Sequence, residues 1–203
     1  MTFYLDSSGK ISLGAESADI VLSSDNGLTA TVDLDGKVQN GESADISLVG
    51  DLELSAEGTT SEVLTEIGEP ALMSAITDSF DDDADDYTVS VDPGTYAKLN
   101  AGDEVVANQA WKATANNSEG VEETVQENIE VKIKGVDDPS TITPESDLSG
   151  TVNPGFPTVS GDVDLIDIDR TPATFISQSE TLLQGDFTMY EMGEWSFSAD
   201  PDY

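Results

Sequence analysis

The chain has 203 residues, 42 of them acidic and 7 basic, with no histidine, no cysteine and a formal charge of −35. That balance excludes disulfides, thiol chemistry, histidine-based zinc sites and Ser-His-Asp catalysis, and it disfavours nucleic acid and anionic membranes as partners. A hydrophobic share of 37% is nonetheless enough to build a core in one or two domains rather than a disordered acidic tail.

The opening MTFYLDSSGK carries no apolar leader and reads as a hairpin, and no run is long enough to insert into a membrane. Met1 therefore suits a start inside a longer protein. Turn signals follow at short intervals, at Gly9, Gly27, Gly36, Gly41, Gly120 and Gly193. Between them lie alternating runs: TATVDL (Thr29 to Leu34), ADISLV (Ala44 to Val49), DYTVSV (Asp86 to Val91), NIEVKIK (Asn128 to Lys134) and WSFS (Trp195 to Ser198). Period-two alternation between Asn-Gly and Asp-Gly turns predicts antiparallel sheet with one wet face, the pattern of a β-sandwich. Between Ser61 and Phe80 the pattern changes. Leu64, Ile67, Leu72, Ala75, Ile76 and Phe80 suit one or two short helices, with Gly68 ending the first and Pro70 in the first turn of the second. GVDDPS (Gly135 to Ser140) is the expected domain break.

Three internal similarities point to a tandem array. DSSGKI followed by ESADI, from Asp6 and Glu16, returns as DLDGKV followed by ESADI, from Asp33 and Glu42. FYLDSSGKISL (from Phe3) aligns without gaps on FTMYEMGEWSF (from Phe187). DYTVSVDPGTY (from Asp86) echoes EWSFSADPDY (from Glu194).

The acids gather in turns: DDDADD (Asp81 to Asp86), Asp137-Asp138, and DVDLIDID (Asp162 to Asp169). Carboxylates clustered on short loops are the hard oxygen ligands that calcium takes. Asp81, Asp83 and Asp85 have D-x-D-x-D spacing, and Asp92 falls at the twelfth position, as in an EF-hand loop. Asp86 stands where that loop needs glycine, and a strand rather than a helix follows. The alternative is a hydrated acidic loop. Asp33 and Asp35 are explained by a hairpin turn. Trp111 and Trp195 alternate with small or polar neighbours and read as core. Tyr4, Tyr190 and Tyr203 are too scattered to define a ligand surface. So many carboxylates are present that no pair stands out as a glycosidase acid/base couple.

YAKLNAGDE (Tyr96 to Glu104), AWKATANNSEG (Ala110 to Gly120) and NIEVKIKGVDDP (Asn128 to Pro139) together resemble the second half of a VCBS-type repeat. SGTV (Ser149 to Val152), IDIDRTPATF (Ile166 to Phe175) and GDFTMYEMGEWSFS (Gly185 to Ser198) resemble the first half of the next. The linker is one residue shorter than the family's Gly-x-Asn/Asp-Asp-x-Pro pattern, and residues 14–85 do not match. The resemblance implies tandem all-β domains of the Ig-like or cadherin-like β-sandwich type, as in large bacterial RTX surface adhesins. It divides the chain into an elaborated sandwich over 1–136, with a short helical insertion around 61–80, and a second domain over 137–203 expected to lack its closing strands. Residues 14–85 could form a distinct module.

In such an array Pro139 stiffens the linker, and Asp137, Asp138, Asp167 and Asp169 are expected at a calcium-bearing junction. The expected role is non-enzymatic: an extracellular, calcium-stabilised extender on a bacterial surface, with neighbouring repeats and a host or biofilm ligand as partners. A calcium-dependent peptide- or glycan-binding module in residues 1–96 is the alternative, and a carboxylate glycosidase or lyase is a third class.

Overall fold

The structure is a computed structural model that describes residues 13–23, 27–39, 43–116, 119–153 and 155–201. The expected first hairpin, Tyr4 and Tyr203 lie outside the described residues. The chain divides into two compact units, Met1–Asp137 and Asp138–Tyr203.

The first unit contains, in order, β1 (Gly14–Ala15), β2 (Ala18–Leu22), β3 (Thr29–Asp33), a 3-10 turn (Asp35–Lys37), β4 (Val38–Gln39) and β5 (Asp45–Ser55). Helices α1 (Ser61–Glu66) and α2 (Glu69–Ser74) follow, then β6 (Ile76–Asp81), β7 (Asp86–Val91), α3 (Pro93–Tyr96), β8 (Glu104–Asn116) and β9 (Glu122–Lys134). One sheet has the order β2-β9-β8-β5 and the other β3-β7-β6, while β1 pairs with β4.

Alternation builds the core directly. On β7, Tyr87, Val89 and Val91 point inward; on β9, Ile129, Val131 and Ile133 do the same. They join Leu22, Val105, Ala107 and Trp111 in one cluster drawn from both sheets, so the unit is a sandwich closed over a shared core. Strands from residues 14–85 and from 86–134 share both sheets. The two ESADI copies form opposite edges of the larger one: Ile20 and Ile46 are buried while Asp19 and Asp45 face out. An outward carboxylate on each edge opposes pairing with another chain.

Two expectations change. The pairing of β2 with β9 is parallel, Ala18 opposite Ile129, within an otherwise antiparallel sheet. The helical reading of residues 61–80 holds through Ser74. Gly68, at φ 86°, separates the helices, and Pro70 sits in the first turn of α2. Ile76 and Phe80 lie on β6 instead, because hydrogen bonding to β7 from Ile76↔Val91 to Asp81↔Asp86 claims that backbone. Val63 and Leu72 carry the helices' inward face, and the Tyr96 hydroxyl donates to the Leu72 carbonyl at 2.9 Å.

The second unit contains β10 (Thr141–Ile142), β11 (Thr158–Asp162), β12 (Leu165–Ile166), β13 (Gln178–Leu182), β14 (Gly185–Met189) and β15 (Glu194–Ala199). Its main sheet has the order β11-β15-β14-β13, and β10 pairs with β12. Register sorts the faces. Val159, Phe197, Phe187 and Glu180 form one row across the sheet; Gly161, Trp195, Met189 and Gln178 form the next. The opposite face is polar, with Ser160, Ser196, Thr188 and Ser179 in line. Trp195 stacks on Phe187, with ring centroids 6.3 Å apart, and its Nε1 donates to the Asp147 carbonyl. The SGTV segment is not a strand. It runs as irregular chain, with Gly150 set against Val159 and Trp195. Val163 is the single buried apolar side chain among this unit's described residues.

One buried polar side chain pins the larger sheet of the first unit. The register of β5 on β8 shifts between Val49 and Glu53, and Gln109 on β8 sits beneath that irregularity, 1% exposed. Its Nε2 donates to the carbonyls of Ala110 (2.9 Å) and Gly50 (3.2 Å). Gln109→Leu removes this donor from part-buried carbonyls and should cost about 0.5–1.5 kcal/mol in urea unfolding, the net worth of a hydrogen bond. A neutral substitution would mean that strand pairing alone holds the bulge.

Candidate functional site

The acid run at Asp81 to Asp86 is the tip of a β-hairpin. Asp81 ends β6, Asp86 opposite it begins β7, and residues 82–85 form the turn. A strand, not a helix, leads into the loop. Asp81 shapes the turn with its side chain: its Oδ1 accepts from the Asp83 amide at 3.0 Å and from the Ala84 amide at 3.3 Å. Asp85 adopts φ 54°, left-handed backbone that short polar side chains tolerate better than most. Its carbonyl accepts from the Leu34 amide at 2.9 Å, which ties the tip to the turn after β3.

That tie assembles a second acidic turn beside the first. Residues Asp33 and Asp86 are directly opposed in the β3–β7 register, and Asp35 opens the 3-10 turn that follows. Asp33 is a turn residue, its Oδ1 accepting from the Gly36 amide at 3.0 Å, but the turn is not a hairpin, since β3 pairs with β7 and β4 with β1. Asp33 also faces Asp85. Partial burial and then the charges of Asp35, Asp33, Asp45 and Asp82 push the Asp85 carboxyl above the ordinary aspartate range. Like charges around a carboxylate are the condition that a bound cation relieves. Asp82 lies in the same acid run as Asp85, Asp35 comes close through the pairing of β3 with β7, and Asp45 starts β5 of the other sheet, so spacing alone does not group them.

Asp92 belongs elsewhere. It caps α3, its Oδ1 accepting from the Gly94 amide at 3.1 Å, and β7 stands between it and the hairpin tip. Asp92 follows Asp86 by the length of β7, roughly 20 Å at the rise of extended chain. An EF-hand brings its first and twelfth positions onto one ion; a straight strand keeps these apart.

Asp138, Asp167 and Asp169 come together within the second unit. The Asp138 amide donates to Asp169 Oδ2 at 3.1 Å, and the Asp169 amide donates to Asp167 Oδ1 at 3.1 Å. Asp167 Oδ2 also accepts from the Ser140 hydroxyl and the Ala173 amide, both at 3.0 Å. The Asp167 and Asp169 carboxylates are thus held by backbone amides from two loops, which fixes their direction. Asp137 is exposed at the end of the first unit.

The donor chemistry suits calcium, since each site offers carboxylates and carbonyls on tight loops. The geometry is less complete: among the described residues, no three acidic side chains converge closely enough to hold a metal ion. No helix among the described residues is long and apolar enough to cross a membrane.

No sequence family matches the chain, and no curated protein matches it. Solved structures similar to it include extracellular cadherin domains 3–6 of protocadherin gamma B2, at 11% identity and TM-score 0.39 over 93% of this chain and 43% of that one. Drosophila N-cadherin EC1–4 aligns at 14% identity and TM-score 0.36, over 91% and 40%. Titin domains z1z2 in complex with telethonin align at 15% and 0.31, over 93% and 81%. The chain spans less than half the length of the cadherin structures. At TM-scores below 0.5 this likeness carries no argument, and the all-β assignment stands on the chain's own sheets.

Asp85 gives a test that needs no metal. The folded state holds its proton more tightly than the unfolded chain does. Protonation therefore stabilises the fold, and that contribution is lost as pH rises through the raised folded-state pKa. In EDTA at neutral pH, Asp85→Asn should raise Tm by roughly 1–3 °C, the scale of a screened charge interaction in a domain of this size. The gain should shrink once the solution is acidic enough to protonate the wild-type carboxyl. An equal loss of Tm at both pH values would instead make Asp85 an ordinary structural group.

Proposed function

We propose that the chain is a non-catalytic segment of an extracellular bacterial surface protein, a spacer in a tandem array of β-domains stiffened by calcium at its acidic turns. The observation that carries this reading is the meeting of two acidic turns at one end of the β3-β7-β6 sheet, where partial burial and then its neighbours' charge push the Asp85 carboxyl upward. Without a counter-ion that end of the sheet is under repulsion. Calcium, with a flexible shell of six to eight oxygens, can take carboxylates from both turns together with carbonyls and water. Within the second unit, a second ion would engage the Asp167 and Asp169 carboxylates beside Asp138. The VCBS resemblance supports an array, neighbouring repeats as partners, and a bacterial surface location. In this role metal-ordered turns resist bending, and the chain holds a terminal binding module away from the cell.

Thermal unfolding in metal-free buffer, calcium, magnesium and sodium chloride tests the reading. Sites of this extracellular kind have dissociation constants of about 10⁻⁴ to 10⁻³ M. At a free calcium about tenfold above that, each site adds about 1.4 kcal/mol. Calcium should therefore raise Tm well beyond sodium chloride of matched ionic strength, with magnesium in between. Equal stabilisation by sodium chloride would leave a merely salt-screened acidic surface.

Replacing Asp81 and Asp83 with Ala separates local from global effects. The double variant should lose more Tm in calcium than in EDTA. An equal loss in both would remove these two residues from the ligand set.

A further inference from the structure

The second unit carries an apolar groove that neither the acidic turns nor the spacer role uses. Two open surface depressions of about 590 Å³ and about 420 Å³ adjoin at the turn between β14 and β15, sharing Glu191 and Met192. Tyr190 lines the first; Leu165, Pro172 and Phe175 line the second. Met192 stands between them, 76% exposed, and Tyr190 is 53% exposed. The rim is acidic, formed by Asp164, Glu191 and Glu194. Among the described lining residues none is basic.

The groove is held in place by backbone. The Val163 amide donates to the Gly193 carbonyl at 3.1 Å, and the Phe175 amide donates to the Glu191 carbonyl at 3.1 Å. Within the turn, the Tyr190 amide donates to the Glu194 carbonyl at 2.9 Å and the Gly193 amide to the Tyr190 carbonyl at 3.1 Å. Gly193 adopts φ 101°, and a Cβ there would lie 2.1 Å from the Val163 carbonyl oxygen. The turn is thus clamped on both sides at a position where only glycine fits. Met192 is a large apolar side chain presented to solvent on a fixed support. Preformed apolar concavities with a few polar groups at the edge are the usual form of a recognition site.

We propose that this groove binds a cationic amphipathic peptide segment, with a bulky apolar side chain in the depressions beside Met192 and arginines on the carboxylate rim. Charge complementarity selects this occupant. The second unit's sequence, residues 138–203, has thirteen acidic side chains and a single arginine, Arg170. An anionic or neutral partner would bury uncompensated carboxylates, which is costly. An arginine gives them paired hydrogen bonds and can stack on the exposed Tyr190 ring. Methionine adapts to varied apolar shapes, so the groove would select for charge and bulk more than for one sequence.

Fluorescence anisotropy on the full chain, in calcium-containing buffer of physiological ionic strength, tests this with three labelled hexapeptides. They alternate arginine with leucine, arginine with serine, and glutamate with leucine. The arginine–leucine peptide should bind at least about tenfold more tightly than arginine–serine, the scale of one well-buried anchor, and glutamate–leucine should not bind. Met192→Ser, and separately Glu191→Gln with Glu194→Gln, should each weaken the arginine–leucine complex several-fold. Both sites are exposed, so Tm should be unchanged. Equal binding of the two arginine peptides, or no effect of Met192→Ser, would show attraction to net charge alone and overturn the proposal. Concentration-dependent dimerisation abolished by Met192→Ser in sedimentation velocity would assign the groove to a second copy, and would overturn it equally.

Discussion

Carboxylate repulsion is the constraint around which this chain is arranged. With 42 acids and 7 bases, the fold cannot neutralise itself with ion pairs, and a pairing such as Lys132 with Glu130 is a surface contact of little energetic weight. The acids are instead displaced to turns, edges and outer faces, while alternating strands keep the interior apolar. Asp19 and Asp45 guard the two edges of the larger sheet; Asp33, Asp81 and Asp92 spend their oxygens on turn and helix-cap amides. What cannot be spread out accumulates where the β6–β7 hairpin meets the turn after β3. Asp85 records the cost there.

The two units handle the constraint differently. The first closes two sheets over a core containing Trp111, Tyr87 and the three inward residues of β9, and so carries its surface charge on a well-packed body. The second has one four-stranded sheet with a sharply divided pair of faces, a row of hydroxyls on one side and aromatic side chains on the other. Much of its apolar surface is shared with irregular segments, and Phe156, Ile176, Leu183 and Met192 remain more than 70% exposed.

Local features were legible in the amino-acid order where the physics is local. Alternation between glycine-bearing turns located β3, β7 and β15, and Gly68 with Pro70 placed the junction of the two short helices. Spacing alone could not separate helix from strand at Ile76 and Phe80, which are four apart and fit either. The parallel pairing of β2 with β9 joins residues more than a hundred positions apart, and no local period encodes that. The same limit applies to the acids. The D-x-D-x-D run is visible, but Asp33 and Asp35 reach it only through the pairing of β3 with β7, and Asp45 belongs to the other sheet. Asp92 fitted an EF-hand by counting, and the intervening strand β7 removes it by length. Asp167 and Asp169 were found from their turn, and the backbone amides that hold them became apparent only in three dimensions.

Hydrogen–deuterium exchange with peptide-level resolution most directly tests the claim that cations bind at the acidic turns rather than merely screening the surface. Calcium should slow exchange in two linked segments, the turn after β3 around Asp33 to Lys37 and the β6–β7 hairpin from Ile76 to Val91. Sodium chloride at matched ionic strength should leave both as they are. If the two solutions protect these segments equally, or calcium protects the chain uniformly with no emphasis there, the acidic turns are not ion sites and the account of a calcium-stiffened spacer is contradicted.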